Sequence, residues 1–145
     1  MVLALMLLAA TPAGEDAKLA AAFRAYLDDE FRRHPYFATS VGNHDHDDRL
    51  DDLSPAARGD DVKRARTLLA DLPTKVDAAK LSRAGQIDLE IWTHALNYQL
   101  WQAEHADRFV SDPRVYGEYT TDSVFLLFTQ STLPRERNVA NAAGR

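Results

Sequence analysis

Apolar residues recur at helical spacing along most of the chain. Between Asp16 and Arg33 they return every three or four positions, which predicts an amphipathic helix with Asp16 as its N-cap. This helix should end at His34, because Pro35 disfavours a helical conformation in the residue before it. A short turn of helix is predicted over residues 35–40.

Cap residues predict two longer helices in the middle of the chain. Ser54 and Pro55 are the residue types favoured at the N-cap and first position of a helix, and Pro73 should end that helix. Ser82 should cap the longest helix, which runs to about Ala106. Its wide apolar arc predicts packing on more than one flank; the positions are Ile87, Leu89, Ile91, Trp92, Ala95, Leu96, Tyr98 and Leu100.

The last third of the chain is also predicted to be helical. A connector from Asp112 or Pro113 to Gly117 should precede a buried helix over Asp122 to Gln130. That helical run could be a strand by composition, but a lone strand among helices would have no partner. A final helix should start with Thr132 as its N-cap. The predicted fold is therefore all-α, with about five antiparallel helices.

The chain begins with an apolar segment. Residues 2–10 are too short to span a bilayer but have the length of a signal-peptide core, and a small-residue cleavage site follows after Ala13. Because no Lys or Arg precedes the apolar run, the alternatives are the first turn of a buried helix or a misplaced start codon. We expect a signal peptide over residues 1–13, a helical region over residues 14–145, and an exported protein in the periplasm or outside the cell.

Composition and charge exclude several classes of function. The chain has no Cys, which excludes disulfides, thiolate zinc sites, iron–sulfur clusters and cysteine nucleophiles. Its formal net charge is −5, and residues 43–61 alone hold seven Asp against two Arg. The rest of the chain is balanced, so it has no basic face with which to bind a nucleic acid. We expect neither a nucleic-acid partner nor a transmembrane helix.

The acidic stretch contains a His-Asp-His-Asp-Asp run at residues 44–48. An EF-hand would need Gly and Glu at its sixth and twelfth positions, where this chain has Leu50 and Ala56. An HExxH zinc motif is absent from the sequence. The favoured interpretation is a solvated loop whose side chains cap helix ends and pair with Arg49. The only metal candidates, all weak, are His44, His46 and Asp47, and no catalytic or cofactor-binding residue is predicted.

The other histidines occupy positions typical of structural residues. His34 stands at a helix end before a proline, and His94 lies four residues after Glu90 on the longest predicted helix. His105 lies near the C-terminus of that helix, where a cation is favourable.

Two segments resemble a known bacterial family. Residues 35–44 read PYFATSVGNH and residues 47–55 read DDRLDDLSP. In order, they are similar to the N-terminal signature of the family called domain of unknown function 885: Pro, Ala-Thr, Gly-x-His, Asp-x-Arg-Leu and Asp-Leu-Ser-Pro. The chain departs from this pattern with Asp51 where the family has Pro, and with His46 where an aromatic residue is common. The likeness extends over most of residues 16–145.

The resemblance implies a function that this chain would share only in part. Members of the family look like zinc-dependent peptidases of several hundred residues, often exported, whose HExxPGH zinc motif lies far toward the C-terminus. No segment of this sequence matches that motif. We therefore expect a truncated N-terminal helical fragment, without a cofactor of its own and inactive alone, with zinc and a peptide substrate belonging to the full-length protein. The alternative is a secreted, non-enzymatic helical module that binds a peptide or protein partner.

Overall fold

A computed structural model describes residues 14–145, so the predicted signal peptide over residues 1–13 lies outside the described residues. Between residues 14 and 145 the chain forms α-helices and one 3₁₀-helix, with no β-strand. This confirms the all-α prediction. Within the same range, no helix combines the length and apolar content that crossing a bilayer would require.

Seven α-helices follow one another along the described chain, and five of them have ten residues or more, as predicted. The helices are α1 (Glu15–Arg33), α2 (Pro35–Ser40), α3 (Pro55–Lys75), α4 (Arg83–His105), α5 (Arg108–Ser111), α6 (Arg114–Thr129) and α7 (Arg135–Gly144). The 3₁₀-helix, Ala78–Lys80, lies between α3 and α4.

The two serine caps form as predicted. The Ser54 side chain accepts a hydrogen bond from the backbone N–H of Ala57, and the Ser82 side chain accepts one from Gly85. The N-cap prediction for Asp16 was wrong, since α1 begins at Glu15. Asp16 lies in the first turn and accepts the Ser82 N–H at 3.0 Å, which ties α1 to the start of α4.

Three other helix boundaries differ from prediction. α3 continues past Pro73 to Lys75, because the proline falls in the last turn, where the backbone of Val76 still bonds to that of Leu72. The predicted connector before Gly117 is instead the beginning of α6, with the N–H of Arg114 satisfied by the Asp112 side chain.

The start of the last helix also differs from the prediction. α7 begins after Pro134 rather than after Thr132. The reason lies in the preceding turn, where the Ser131 hydroxyl accepts the N–H of Leu133 and contacts the Asn138 side chain. Ser131 therefore orders the turn before α7, and the N-cap position of the helix is occupied by Pro134 rather than Thr132.

The main core lies between α1, α3 and α4, with α3 packed along α4. Its buried residues are Leu19, Ala65, Leu72, Val76, Leu81, Trp92 and Leu96. As predicted, α4 packs on more than one flank, against α3 and against α1, but part of its apolar arc lies outside the core. Ile91 and Tyr98 are 61% and 52% exposed.

A second layer is formed by α2, α6 and α7. Leu127 of α6 and Ala38 of α2 are fully buried there. The other side of α6 exposes Phe125 and Phe128, so the helix predicted to be buried is buried on one side only. The junction of α1 and α2, the loop before α3, and α6 meet at one end of the main core, and this is where the polar side chains converge.

Candidate functional site

The loop over residues 41–54 carries the metal candidates, and Asp47 is its buried member. Only 1% of Asp47 is exposed. Its Oδ1 accepts a hydrogen bond from the Thr39 hydroxyl at 2.6 Å, and its Oδ2 lies 2.9 Å from His44 Nδ1. His46 is half-buried and Asp45 is exposed. The structure therefore brings His44 and Asp47 together, as a pair that fixes the loop on α2.

The cation beside Asp47 is Arg145, not the Arg49 that the sequence suggested. Arg145 Nε donates to the Asp47 carbonyl at 2.7 Å, and its Nη2 donates to the Thr39 hydroxyl at 2.5 Å. Its Nη1 donates to the Ser123 carbonyl of α6. Both charged side chains are fully buried. The acidic loop is thus held to α2 and α6 by a buried ion pair and is not simply solvated.

The zinc implied by the resemblance does not fit the loop candidates. Both carboxylate oxygens of Asp47 are engaged by protein donors, and Arg145 already supplies a positive charge 3.7 Å away. Over residues 14–145, no group of three or more His, Asp or Glu side chains is arranged to hold a metal ion. A catalytic zinc needs three protein ligands with free lone pairs. The loop side chains His44, His46 and Asp47 therefore do not form a catalytic zinc site.

A second polar cluster surrounds His34, at the junction of α1 and α2. Pro35 holds His34 out of helical conformation, at φ −123° and ψ 68°, while its N–H still bonds to Glu30. The His34 Nδ1 lies 3.2 Å from Asp51 Oδ2, and its Nε2 lies 3.4 Å from Asp61 Oδ2 and 3.7 Å from Glu30 Oε1. One imidazole thus faces carboxylates from α1, the loop and α3.

Asp51 is the centre of this cluster. It accepts the backbone N–H of Tyr36 at 2.8 Å and the hydroxyl of Tyr119, which joins the loop to α2 and α6. Its side chain is 2% exposed, so these donors replace water. Asp51 is one of the two positions where the chain departs from the family signature.

The carboxylates hold His34 in its charged form. Burial alone would lower the pKa of His34, but the hydrogen bonds to Asp51 and Asp61, with the negative charge of Glu30, raise that pKa to about 10. Burial and the hydrogen bond to Asp51 raise the pKa of Tyr119. At neutral pH the cluster therefore contains an imidazolium ion and a phenol that keeps its proton.

Two arginines complete the ion pairs between α1 and α3. Arg33 Nε donates to Asp61 Oδ1 at 3.0 Å, and Arg64 contacts Glu30 and lies 3.1 Å from Asp29. The acids around His34 are therefore shared among three cations. Arg33 and Arg64 thus each pair with an acid of the opposite helix.

A cleft of about 490 Å³ opens beside the His34 cluster. Ligand pockets in proteins commonly have volumes of about 300–1,000 Å³. Residues from α1, the loop, α3, α4, α5 and α6 line the cleft, and the polar ones include His34, Asp61, Arg58, Gln99, Gln102 and Tyr119. It thus combines a cavity of ligand size with charged groups, amide groups and a histidine whose pKa is strongly raised.

Arg58 forms the wall of the cleft nearest α5. Its Nη1 donates to both carboxylate oxygens of Asp107, at 2.9 and 3.1 Å, and its Cζ lies 4.8 Å from the centre of the Phe109 ring. Its Nε is buried without a hydrogen-bond partner among the described residues. Asp107 in turn accepts the N–H of Phe109 and so fixes the start of α5.

Sequence reasoning missed the cleft and its residues. The sequence indicates a structural role for His34 and predicts no role for Asp51, Arg58 or Tyr119. One signal was present, because a histidine held at a helix end by Pro35 was followed by an acidic segment with an unbalanced charge. Which acid reaches His34 depends on how α3 packs against α1, and local sequence does not encode that.

The chain belongs to the family described as "Bacterial protein of unknown function (DUF885)", whose sequence pattern matches residues 35–145. This confirms the family resemblance seen in the two signature segments. The matched region contains α2 to α7, the acidic loop and most of the cleft. Comparison with curated proteins and with solved structures finds no match.

Proposed function

We propose that the cleft beside His34 binds a peptide, and that this chain is the N-terminal helical portion of an exported, zinc-dependent peptidase in which the cleft forms part of the substrate site. The cleft is the observation that carries the proposal. It has the volume of a ligand site, and its walls offer both hydrogen-bond donors and acceptors, as a peptide backbone requires.

The arrangement of the walls supports binding rather than chemistry at this position. The acids next to His34 are engaged by Arg33 and Arg64 and by the imidazole itself, so none is left poised as a general base. His34, with a pKa of about 10, is charged at neutral pH and cannot accept a proton there. Hydrolysis, zinc and export are what the family resemblance contributes to the proposal.

The second candidate is a secreted helical module that binds a peptide or protein without cleaving it. The half-exposed aromatic residues Tyr98 and Trp101 of α4, whose rings stack 6.2 Å apart, favour this candidate because they offer a ready contact surface. Both candidates require peptide binding. They differ in whether the full protein also breaks the peptide bond.

The test measures peptide binding in a chain whose cleft has been filled. Ala103 lines the cleft on α4, and Ala103→Trp should weaken binding of a fluorescein-labelled hexapeptide mixture by about tenfold, or about 1.4 kcal/mol. Ala84→Trp is the matched control, since Ala84 is an exposed residue of the same helix that does not line the cleft. Equal binding by wild type and both variants would overturn the proposal.

A second arm tests whether this region cleaves peptides by itself, which both candidates exclude. The purified chain, with and without added zinc, is incubated with the same peptides and the products are followed by mass spectrometry. We expect intact peptides and at most weak, salt-sensitive zinc binding that is lost when His44 and His46 are replaced by Ala. Zinc that stays bound during dialysis against a mild chelator, together with cleavage that depends on His44, would refute the assignment of this region to binding alone.

A further inference from the structure

We infer that Arg58 is the carboxylate anchor of the cleft, so that the preferred ligands are peptides with a free carboxylate. This inference rests on the proposed function and specifies the substrate class of the same site. It follows from the geometry of one guanidinium group and the charges around it.

The first argument is that the guanidinium of Arg58 has N–H donors that the protein does not use. Asp107 engages only Nη1, with both of its oxygens. Nε is buried and, among the described residues, has no hydrogen-bond partner. Arginine binds carboxylates best through two parallel N–H donors, and the Nε–Nη2 edge is such a pair. Asp107 therefore leaves this edge unused. Because the Arg58 side chain lines the cleft and is 23% exposed, a ligand carboxylate can bind the edge once it displaces the atoms that cover Nε.

The second argument is that the guanidinium is already held in place. Phe109 lies against it at 4.8 Å, and the Asp107 carboxylate that binds it also caps α5. An anchor that is fixed before the ligand arrives loses little side-chain freedom on binding. Arg108, by contrast, is 57% exposed, and its only ion pair within residues 14–145 is a 3.5 Å contact with Glu118, so it is poorly fixed.

The third argument concerns the other charges of the cleft. Three of its four acids have cationic partners: Glu30 contacts Arg64, Asp61 contacts Arg33 and His34, and Asp107 contacts Arg58 itself. The fourth, Asp52, is exposed to solvent, so its charge is screened. A single negative charge can therefore approach Arg58 without facing a buried, unpaired acid. A phosphate dianion fits less well, because Asp52 and the three paired acids outnumber the cations on the walls.

The test compares two forms of one peptide. N-acetyl-trialanine with a free carboxylate and its C-terminal amide are titrated into ¹⁵N-labelled chain. We expect the acid to bind about tenfold more tightly than the amide, since a charge-assisted bidentate pair distinguishes them. Inorganic phosphate at the same concentration should not displace the acid.

Two substitutions assign the preference to Arg58. Arg58→Lys keeps the positive charge but removes the two parallel N–H donors. It should reduce the preference for the free-acid peptide over its amide to less than about threefold. Asp107→Asn removes the competing negative charge, while the Asn oxygen can still accept a hydrogen bond from Arg58 Nη1 and cap α5, so the acid should bind at least as tightly as to wild type. A purely structural role for Arg58 predicts the opposite result for Asp107→Asn, namely weaker binding. Arg83→Lys is the control, because Arg83 is exposed at the start of α4.

The outcomes separate this inference from the proposed function. If acid and amide bind equally well and both shift signals of the cleft, the cleft binds peptides but Arg58 is not its anchor. If neither peptide shifts a cleft signal, the proposed function itself fails. If phosphate displaces the acid, the site is a general anion site and the inference is wrong.

Discussion

His34 shows how one residue can join three segments of a chain. Its two ring nitrogens face carboxylates from the loop and from α3, and its backbone ends α1. Because the folded protein raises the pKa of this imidazole, protonation and folding are linked. The folded-state pKa of about 10 lies above the ordinary value of 6.5, so the stabilisation is complete below pH 6.5 and is lost as pH rises through 10.

The His34→Gln variant tests this linkage. It should lose about 2 kcal/mol of unfolding free energy at pH 6, the scale of hydrogen bonds to charged groups. The difference from wild type should shrink steadily between pH 6.5 and 10. Urea denaturation at pH 6, 8 and 10 measures it, with His94→Gln as the control because His94 is exposed. A difference that is equal at the three pH values would mean that His34 is not charged in the folded protein.

The buried Asp47 should matter far more than its neighbours in the loop. Asp47→Ala leaves Arg145 buried without its carboxylate and should reduce the unfolding free energy by about 3 kcal/mol. Asp45→Ala removes an exposed acid two residues away and should change it by less than about 0.5 kcal/mol. Thermal or urea unfolding compares the two, and equal losses would contradict the buried pair.

At the scale of elements, the sequence predicts helix caps that depend on local hydrogen bonds. It does not predict helix boundaries that depend on tertiary contacts. Ser54 and Ser82 act locally, because each bonds to a backbone N–H three residues ahead. Asp16 was assigned as a cap by the same local logic, yet its side chain is used between helices, on the backbone of Ser82. The start of α6 was missed because Pro113 and Gly117 are typical of loops. In the folded chain, Asp112 satisfies the first N–H of that helix.

Replacing Gly117 tests the corrected start of α6, and replacing Gly85 of α4 provides the comparison. Gly117→Ala should stabilise the protein by about 0.5–1 kcal/mol, because residue 117 is helical and a Cβ there has open space. Gly85→Ala should bring no such gain, since its Cβ would lie 2.4 Å from Asp16 Oδ1 and would disturb the α1–α4 link. Urea denaturation compares both with wild type. No gain at residue 117 would favour the connector first predicted there.

At the scale of the whole molecule, both α6 and α4 leave apolar surface uncovered by the residues that the structure describes. Phe125 and Phe128 of α6 are 59% and 51% exposed, and Ile91 of α4 is 61% exposed. Exposed apolar side chains in neighbouring turns of a helix are typical of a surface that another protein segment covers.

This surface should be detectable in solution. We expect the purified chain to bind the dye ANS at neutral pH and to self-associate, and the double replacement Phe125→Ser with Phe128→Ser should reduce both effects. Fluorescence titration and analytical ultracentrifugation measure them, with Phe37→Ser as a control at an exposed aromatic of α2. A monodisperse monomer without dye binding would show that α6 needs no cover.

The sequence predicted the fold class and the family, but not the candidate site. Helix periodicity and caps are local properties, so they could be read along the chain. The cleft is formed by residues as far apart as His34, Arg58 and Tyr119, which only packing brings together. The composition of the acidic loop made it the candidate metal site in the sequence. Its central acid is occupied by Arg145, whose position in the fold has no local signal.

The central claim is that peptides bind in the cleft beside His34, and chemical-shift mapping tests it most directly. ¹⁵N-labelled chain is titrated with N-acetyl-trialanine, and the perturbed backbone amides are located on the structure. We predict that the largest shifts occur at Arg58, Gln102 and Tyr119, with little change at the exposed face of α6 around Phe125. Shifts that cluster on that face of α6 or around His44 and Asp47, or no shifts at millimolar peptide, would contradict the account.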